Sequence, residues 1–263
     1  MSLKDAPPFS GRRLLLGTTL MCSLLLPLPA NAQAEISVES ITKQINSNAD
    51  NAQLYIKRGD LYFGKREFFD AVEDYTIAIE LDPGADQAYF GRGMALARQG
   101  MIREGIADLT VYLDRNPDSS LAYTKRGVRY MWLQDYANAE KDLDKALELN
   151  PENAEAHDDI GIIYAKKRDY EKAIEHFTDT IRIEPGYQKG YHNLAMSLFL
   201  TGQDEQALGR VNQALTLNPN HKEATLLKSH ILAALGRQEE ADAVKEEAEF
   251  LPETNWTESV PLE

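Results

Sequence analysis

The sequence contains one cysteine, Cys22, among its 263 residues. Cys22 lies within an apolar N-terminal segment that has the features of an export signal. If this segment is removed, the mature chain has no thiol. Disulfide bonds, thiol catalysis and thiolate metal sites are then excluded, and the folded state must be held together by packing alone.

The sequence also lacks a hydrophobic run long enough for a membrane-spanning helix. Residues 14–28 are its most apolar stretch, whereas a bilayer crossing needs roughly 20 residues. This stretch precedes Ala30-Asn31-Ala32, a small-residue pattern typical of signal-peptide cleavage sites. It follows three basic residues, Lys4, Arg12 and Arg13. We therefore predict a secretory signal peptide over residues 1–32, with cleavage near Ala32, and keep a transmembrane anchor as the alternative.

The N-terminal segment also carries partial marks of a particular export route. Arg12-Arg13 followed by Leu14 resembles a twin-arginine signal, but Gly11 stands where Ser or Thr is usual. The general secretory route therefore remains the default. Leu20 and Met21 precede Cys22 where a lipoprotein signal has small residues, so lipid attachment is not expected. We expect a mature protein that is exported to the periplasm and not stably inserted in a membrane.

Basic residues are scarce relative to acidic ones. The chain has 28 Lys and Arg against 42 Asp and Glu, a formal net charge of −14 at pH 7. The predicted leader carries three basic residues and one acidic residue, so the mature chain is more acidic still. Such a surface repels nucleic acids and anionic membranes, and we expect neither as a partner.

No catalytic or cofactor-binding motif is present in the sequence. There is no glycine-rich phosphate loop, no GxSxG motif and no HExxH motif. Adjacent carboxylates such as Asp158-Asp159 point in different directions on a helix, and we interpret them as solvated faces. His192 and His230 could approach each other, but two ligands are too few for a metal site. We therefore predict no enzymatic activity, no cofactor and no metal.

The main positive feature is a regular spacing of prolines. Five of the 11 prolines stand at one constant interval, each after Asp, Asn or Glu: Pro83, Pro117, Pro151, Pro185 and Pro219. Proline cannot continue a helix, and it moves the residue before it out of the helical region. The constant interval therefore predicts a repeated unit that ends just after each proline.

Small and large residues recur at fixed positions when the units begin at residues 52, 86, 120, 154 and 188. Position 8 holds Gly59, Gly93, Gly127, Gly161 and Ala195. Position 24 holds Tyr75, Leu109, Leu143, Phe177 and Val211. The apolar positions around each row are separated by three and four residues, as in amphipathic helices. The pattern predicts two antiparallel helices per unit, A and B, with the small residue at position 8 allowing close approach.

These residues resemble the signature of the tetratricopeptide repeat family, a helix–turn–helix unit of about 34 residues. The resemblance implies an all-α fold, a right-handed α-solenoid of stacked antiparallel helix pairs. It covers five full repeats, residues 52–85, 86–119, 120–153, 154–187 and 188–221. The flanking segments are predicted to be a capping helix, a degenerate sixth repeat or C-terminal cap, and a flexible tail, over residues 33–51, 222–251 and 252–263.

The resemblance also implies where a partner binds. In this family, positions 2, 5, 9, 12 and 13 of helix A line the concave groove. Fourteen residues are predicted groove contacts: Ile56, Asp60, Phe63, Phe90, Met94, Val128, Met131, Trp132, Glu155, Asp158, Ile162, His192, Met196 and Phe199. Apolar anchors of an amphipathic helix or extended peptide would fit this set, beside basic residues that meet Asp60, Glu155 and Asp158. Core packing is the alternative for Phe63, Met131 and Phe199.

Some members of the family bind the C-terminal carboxylate of chaperones. They use Lys, Asn and Arg at positions 2, 5, 6 and 9 of three consecutive repeats. In this sequence no three consecutive repeats supply that set: Asn193 matches one of its positions, but Ile56 and Asp60 occupy positions 5 and 9 of the first repeat. That class of partner is therefore not expected.

The leading interpretation is an exported, non-enzymatic scaffold that binds a peptide or helix of an envelope protein in its concave groove. One alternative is a structural subunit of an envelope assembly that self-associates into a homo-oligomer through its end repeats. A weaker alternative is a glycan- or peptidoglycan-binding module, in which Trp132 and the tyrosines stack on sugar rings.

Overall fold

The computed structural model describes residues 37–252, so the predicted signal peptide and residues 253–263 of the predicted tail lie outside the described part. The described residues form thirteen α-helices and no strand, which confirms the predicted all-α class. None of these helices is both long and apolar enough to cross a bilayer. The helices are α1 (Val38–Ser47), α2 (Ala52–Gly64), α3 (Phe68–Leu81), α4 (Asp86–Arg98), α5 (Ile102–Arg115), α6 (Ser120–Trp132), α7 (Tyr136–Leu149), α8 (Ala154–Lys166), α9 (Tyr170–Ile183), α10 (Gln188–Leu200), α11 (Asp204–Leu217), α12 (Lys222–Ala234) and α13 (Gln238–Glu249).

The helices after α1 form six pairs, each made of a helix A and a helix B. Helices A are α2, α4, α6, α8, α10 and α12, and helices B are α3, α5, α7, α9, α11 and α13. Helices A of neighbouring pairs contact each other, whereas no two helices B within residues 37–252 do. The stack therefore curves with helices A on its inner side, which agrees with the predicted α-solenoid.

Each of the first five pairs is held together by a large side chain at position 24 of helix B. Gly161 on α8 shows why the facing residue must be small, because a Cβ there would lie 2.5 Å from Cε1 of Phe177. Full burial of a side chain of this size contributes about 1.5–3 kcal/mol. The whole row is no more than 2% exposed: Tyr75, Leu109, Leu143, Phe177 and Val211.

A polar ladder links α1 to the first three repeats. Arg58 donates two hydrogen bonds to Asp74, at 2.8 and 2.7 Å, and a third to Thr42 Oγ1 at 3.0 Å. Bidentate pairs of this kind fix both the distance and the orientation of their partners. The arrangement recurs in the next two repeats, with Arg92, Asp108 and Thr76, and with Arg126, Asp142 and Thr110. Ile160 and Leu194 replace the arginine in the following repeats, so the ladder ends there.

α1 occupies the place of a helix B in front of the first repeat. Its Ile41 and Ile45 are buried in the core that surrounds α2. Thr42 precedes Thr76 by one repeat length and has the same role in the ladder. α1 therefore covers the apolar end of the stack, which the first repeat of a solenoid cannot leave exposed.

The pair α12 and α13 forms the other end of the described stack. Ala241 and Ala248 are buried against α12, and Ser229 donates a hydrogen bond to the carbonyl oxygen of Ala241 at 2.8 Å. Lys245 stands at position 24, where the other repeats carry a buried large residue, but it is exposed. The outer face of α13 is therefore polar, as the end of a solenoid requires.

Gly161→Ala is expected to destabilise the protein, because the new Cβ would collide with the buried ring of Phe177. We expect a loss of about 1–3 kcal/mol in the free energy of unfolding, measured by urea denaturation with circular dichroism. Gly209→Ala is the matched control, since Gly209 lies on the exposed side of α11 with no atom within 4 Å of an added Cβ. The control should stabilise the helix by about 0.5–1 kcal/mol. Equal effects of the two changes would contradict the close fit at position 8.

Candidate partner-binding groove

The inner wall formed by helices A is the predicted groove, and its predicted residues differ widely in exposure. Asp60, Trp132 and Met196 are exposed. Seven are half-buried: Phe63, Phe90, Val128, Met131, Glu155, Ile162 and Phe199. Four are at most 8% exposed: Ile56, Met94, Asp158 and His192. The surface that a partner can reach is therefore smaller and less apolar than the sequence predicts.

The buried apolar residues of the set join helices to one another. Ile56 belongs to the core around α1 and α2. Met94 lies between α4 and α6, where its Sδ accepts a hydrogen bond from Arg129 at 3.1 Å. For Ile56 and Met94 the expectation of a ligand-facing side chain is corrected, because contacts between helices already fill the space around them. Several half-buried members also pack on neighbouring helices or core clusters: Phe63, Phe90, Met131 and Phe199.

Two further exposed apolar residues occupy groove positions, beyond the fourteen predicted. Leu121 at position 2 of the third repeat and Leu200 at position 13 of the fifth are each 51% exposed. Trp132 is 42% exposed and Met196 37% exposed. We call these four residues the apolar rim. Positions 2 and 13 of helix A are among those that the family resemblance assigns to the groove. Leu121 and Leu200 could therefore have been predicted from the sequence.

The carboxylates predicted to meet basic ligand residues already have partners within the chain. Glu155 forms an ion pair with Lys125 on the preceding helix A, at 2.6 Å. Asp158 forms one with Lys189 on the following helix A, at 2.8 Å, and accepts a hydrogen bond from Asn193, also at 2.8 Å. The carboxylate of Asp60 accepts a hydrogen bond of 2.7 Å from the hydroxyl of Tyr75. These acids join helices, and Glu155 and Asp158 have no unpaired charge to offer a partner.

Asp159 is buried without a comparable partner. It is 7% exposed, and its Oδ2 accepts no hydrogen bond from any described residue. Burial raises the pKa of the Asp159 carboxyl to about 8; Lys189 lowers this pKa, whereas Asp158 and Glu155 raise it. Asp159 is therefore mostly protonated and neutral at pH 7. The interpretation of Asp158-Asp159 as a solvated face is wrong, because both side chains are buried.

The histidines form two pairs that the sequence spacing does not predict. The rings of His192 and His221 lie 5.7 Å apart, while His230, the neighbour suggested by the spacing, is exposed. Burial and the nearby His221 lower the pKa of His192 to about 4, so it is neutral at pH 7. Nδ1 of His157 lies 3.1 Å from Nδ1 of His176. Across residues 37–252, no three His, Cys, Asp or Glu side chains gather as a metal site would require.

Asp159→Asn is expected to stabilise the protein at pH 8–9 and to change little near pH 4. The folded-state pKa of about 8 lies above that of an unfolded chain, which is about 3.9. The stability that the carboxyl contributes is therefore complete below about pH 4 and is lost as the pH rises to about 8. Each unit of difference between the folded and unfolded pKa corresponds to about 1.4 kcal/mol. We therefore expect the unfolding free energy of the variant to exceed that of the wild type by more than ~1 kcal/mol at pH 8–9. Asp114→Asn, at an exposed carboxyl, is the control, and a pH-independent difference at Asp159 would contradict its protonation.

Comparison with known sequences agrees with the repeated architecture. The family model for the tetratricopeptide repeat matches residues 56–120 and 124–187. No curated protein sequence matches the chain significantly.

Several solved structures share the fold. YrrB, described as a TPR protein with an unusual peptide-binding site, is 26% identical, with 72% of this chain and 97% of its own covered and a TM-score of 0.56. A tetratricopeptide repeat protein from Parabacteroides merdae is 22% identical, with coverages of 84% and 87% and a TM-score of 0.64. PilF of Pseudomonas aeruginosa is 15% identical, with coverages of 75% and 88% and a TM-score of 0.67. The last two show likeness of fold alone. With its repeats matched by the family model and its helix pairs stacked as in these structures, the chain belongs to the tetratricopeptide repeat family.

Proposed function

We propose that the protein is an exported interaction scaffold that holds a peptide or helix of a partner protein against the inner wall of its stack. The observation that carries this proposal is the apolar rim, four large apolar side chains that remain exposed on helices A. The likeness to YrrB, whose description includes a peptide-binding site, supports it. The role requires binding without catalysis, since the polar groups of the wall mainly join neighbouring helices.

The apolar rim provides anchors on two helices of the wall, α6 and α10. Leu121 and Trp132 lie near opposite ends of α6, and Met196 and Leu200 lie one turn apart on α10. Full burial of such side chains gains about 1.5–3 kcal/mol each. Four of them together would offset an association cost on the order of 4–15 kcal/mol, at least in part. An amphipathic helix or an extended peptide with two apolar clusters matches this arrangement.

Ion pairs within the chain already hold the wall between α6 and α10 in place. Lys125–Glu155 joins α6 to α8, and Lys189–Asp158 joins α8 to α10. Side chains that are already ordered lose little conformational entropy when a ligand binds. These ion pairs therefore favour a peptide that fits the existing surface over one whose binding requires the wall to rearrange.

The proposal places the protein in the cell envelope. Its support is the N-terminal segment: basic residues, the apolar stretch over 14–28 and the Ala30-Asn31-Ala32 pattern. Removal of residues 1–32 would also remove the single cysteine, as suits an oxidising compartment. The partner is then an envelope protein that presents a segment to the groove.

Replacing Leu121, Trp132, Met196 and Leu200 together with Gln is expected to abolish peptide binding without unfolding the protein. The four side chains are 37–51% exposed and none belongs to the buried core, so their loss removes ligand contacts and only part of the packing between helices. Decapeptides selected from a random library on the wild-type protein would serve as probes, with affinities measured by fluorescence anisotropy. We expect a loss of at least about tenfold, since anchors of this kind carry most of the binding energy.

Phe69→Gln is the control for this variant, because Phe69 is 78% exposed but lies on α3, a helix B. It should leave affinity unchanged. Circular dichroism and the melting temperature of both variants should stay near wild type. A rim variant that binds the selected peptides as tightly as the wild type would contradict the groove.

Expression of the full chain in a Gram-negative host is expected to give a periplasmic protein that begins at Gln33, as measured by intact mass. Replacing Leu15 and Leu25 with Asp should block processing, because the apolar stretch drives recognition of a secretory signal. Replacing Arg12 and Arg13 with Lys distinguishes the twin-arginine route from the general secretory route, since a twin-arginine signal depends on both arginines. Recovery of an uncleaved chain in the membrane fraction would contradict the signal-peptide assignment.

A further inference from the structure

Two arginines flank the exposed indole of Trp132 on the groove wall. Cζ of Arg98, at the end of α4, lies 5.7 Å from the centroid of the Trp132 ring. Cζ of Arg129, on α6, lies 5.0 Å from it. Arg129 is 2% exposed, whereas Trp132 is 42% exposed. Two cations therefore converge on one aromatic side chain that a partner can reach.

Neither guanidinium is bound to a carboxylate of residues 37–252. Arg98 makes no hydrogen bond or ion pair with the described residues, and its Nε is buried without an acceptor. Nη1 of Arg129 donates to the carbonyl oxygen of Lys125 at 3.2 Å, and Nη2 donates to Met94 Sδ at 3.1 Å. Nε of Arg129 has no acceptor in this part of the chain either. A buried charge without a counter-charge is costly, so this pair differs from ordinary surface arginines.

The remaining arginines of helices A provide the contrast. Arg58, Arg92 and Arg126 each form a bidentate pair with an aspartate of the same repeat. The chain therefore pairs its structural arginines with carboxylates of its own. Arg98 and Arg129 lie outside that ladder, in the groove, and have donor atoms left over.

The surroundings of the two arginines leave them positively charged. Burial, and then Arg98, lower the pKa of Arg129 to about 10, so it keeps its charge at pH 7. Of the acids nearest to Arg129, Glu155 is paired with Lys125 and Asp159 is mostly protonated. In a chain with a formal net charge of −14, the wall between the second and third repeats is locally cationic.

We propose that Arg98, Arg129 and Trp132 form a carboxylate-binding site for an Asp or Glu side chain of the partner segment, a proposal that rests on the proposed function of the groove. Guanidinium groups bind carboxylates with paired, charge-assisted hydrogen bonds, and an aromatic face supports the stem of the incoming side chain. Arg98 is the contact that a ligand reaches, and the buried Arg129 strengthens the local positive potential.

The proposed site differs from the chaperone carboxylate clamp considered in the sequence. Arg98 and Trp132 occupy position 13 of helix A, and Arg129 occupies position 10. Those positions carry none of the residues of that clamp. The site also lies beside the apolar rim, because Trp132 belongs to both.

The distance from this site to Met196 and Leu200 on α10 sets the spacing between the contact residues of a matching ligand. Neighbouring packed helices lie about 10 Å apart, so α6 and α10 are separated by roughly 20 Å. An extended chain spans about 3.3 Å per residue, which corresponds to about six residues. A matching peptide therefore carries an acidic residue and, about six residues away, an apolar residue that reaches Met196 or Leu200.

The test uses two pools of fluorescein-labelled decapeptides that share apolar anchors. One pool carries Glu at the position that faces Trp132, and the other carries Gln there. The full mature chain would carry Trp256→Phe, which leaves Trp132 as its only tryptophan. Anisotropy gives affinity, and the emission of Trp132 reports whether the ligand reaches the ring.

The Glu pool should bind at least about tenfold more tightly than the Gln pool, in line with the strength of hydrogen bonds to charged groups. Arg98→Gln should remove this preference, so that the variant binds the two pools with equal affinity. Because Arg98 has no bonded partner among the described residues, its loss should not lower stability. Arg103→Gln is the matched control, since Arg103 is an exposed arginine on α5 and its loss changes the net charge equally.

Three outcomes would overturn the proposal. Equal affinity of the two pools for the protein with Arg98 in place, or a preference for Glu that Arg98→Gln leaves unchanged, would refute the carboxylate site while leaving the groove itself in place. Failure of both pools to bind would refute the groove and the site together. A rise of more than about tenfold in Glu-pool affinity when the chain is ended at Pro252 would assign the site to residues 253–263, which contain Glu253 and Glu258, and not to a partner.

Discussion

One steric fit recurs in the helix pairs, and the rest of the architecture depends on it. The side chain at position 24 fills the space that a minimal residue at position 8 leaves open. An added Cβ on Gly59 would lie 2.9 Å from the Tyr75 ring, and one on Gly127 would lie 2.9 Å from Leu143. Where position 8 is Ala195, the facing residue is the smaller Val211. A smaller residue at position 24 thus accompanies the larger residue at position 8, as close packing of the two helices requires.

Charged residues have two different roles in this stack. The Arg–Asp pairs of the ladder join helix A to helix B within one repeat, and one hydrogen bond from each arginine to a threonine joins that repeat to the preceding helix. Such buried pairs fix geometry more than they add stability, since their net contribution to stability is often small. The pairs Lys125–Glu155 and Lys189–Asp158 brace the groove wall in the same way. Arg98 and Arg129 do neither, because they have no carboxylate partner in the described residues. The cations that are paired with carboxylates therefore hold the structure together, whereas the two without a carboxylate partner form the proposed binding site.

The sequence predicts the fold well because the fold is set by local repetition. Five prolines and the small and large rows identify the helices, their pairing and the stacking direction. The groove is harder to predict, because exposure depends on residues of different repeats. Nothing near Met94 in the sequence indicates that Arg129, in the next repeat, bonds to its sulfur. The pairing of Glu155 with Lys125 likewise joins two repeats. The ladder is different, because Arg58, Arg92 and Arg126 recur at the repeat interval and an Asp follows each of them at one constant distance, a pattern that is readable in the sequence.

The early end of the ladder means that different kinds of contact join the repeats in the two halves of the stack. In an array whose units touch only their neighbours, each joint contributes separately to resistance against opening. At each joint up to the third repeat, one hydrogen bond from an arginine crosses to a threonine of the preceding helix, and Ile160 and Leu194 replace this arginine beyond that point. The later joints instead carry the ion pairs Lys125–Glu155 and Lys189–Asp158. Trp132 lies on the last repeat of the ladder and Met196 lies beyond it, so a ligand that reaches both side chains would span the change from one kind of joint to the other.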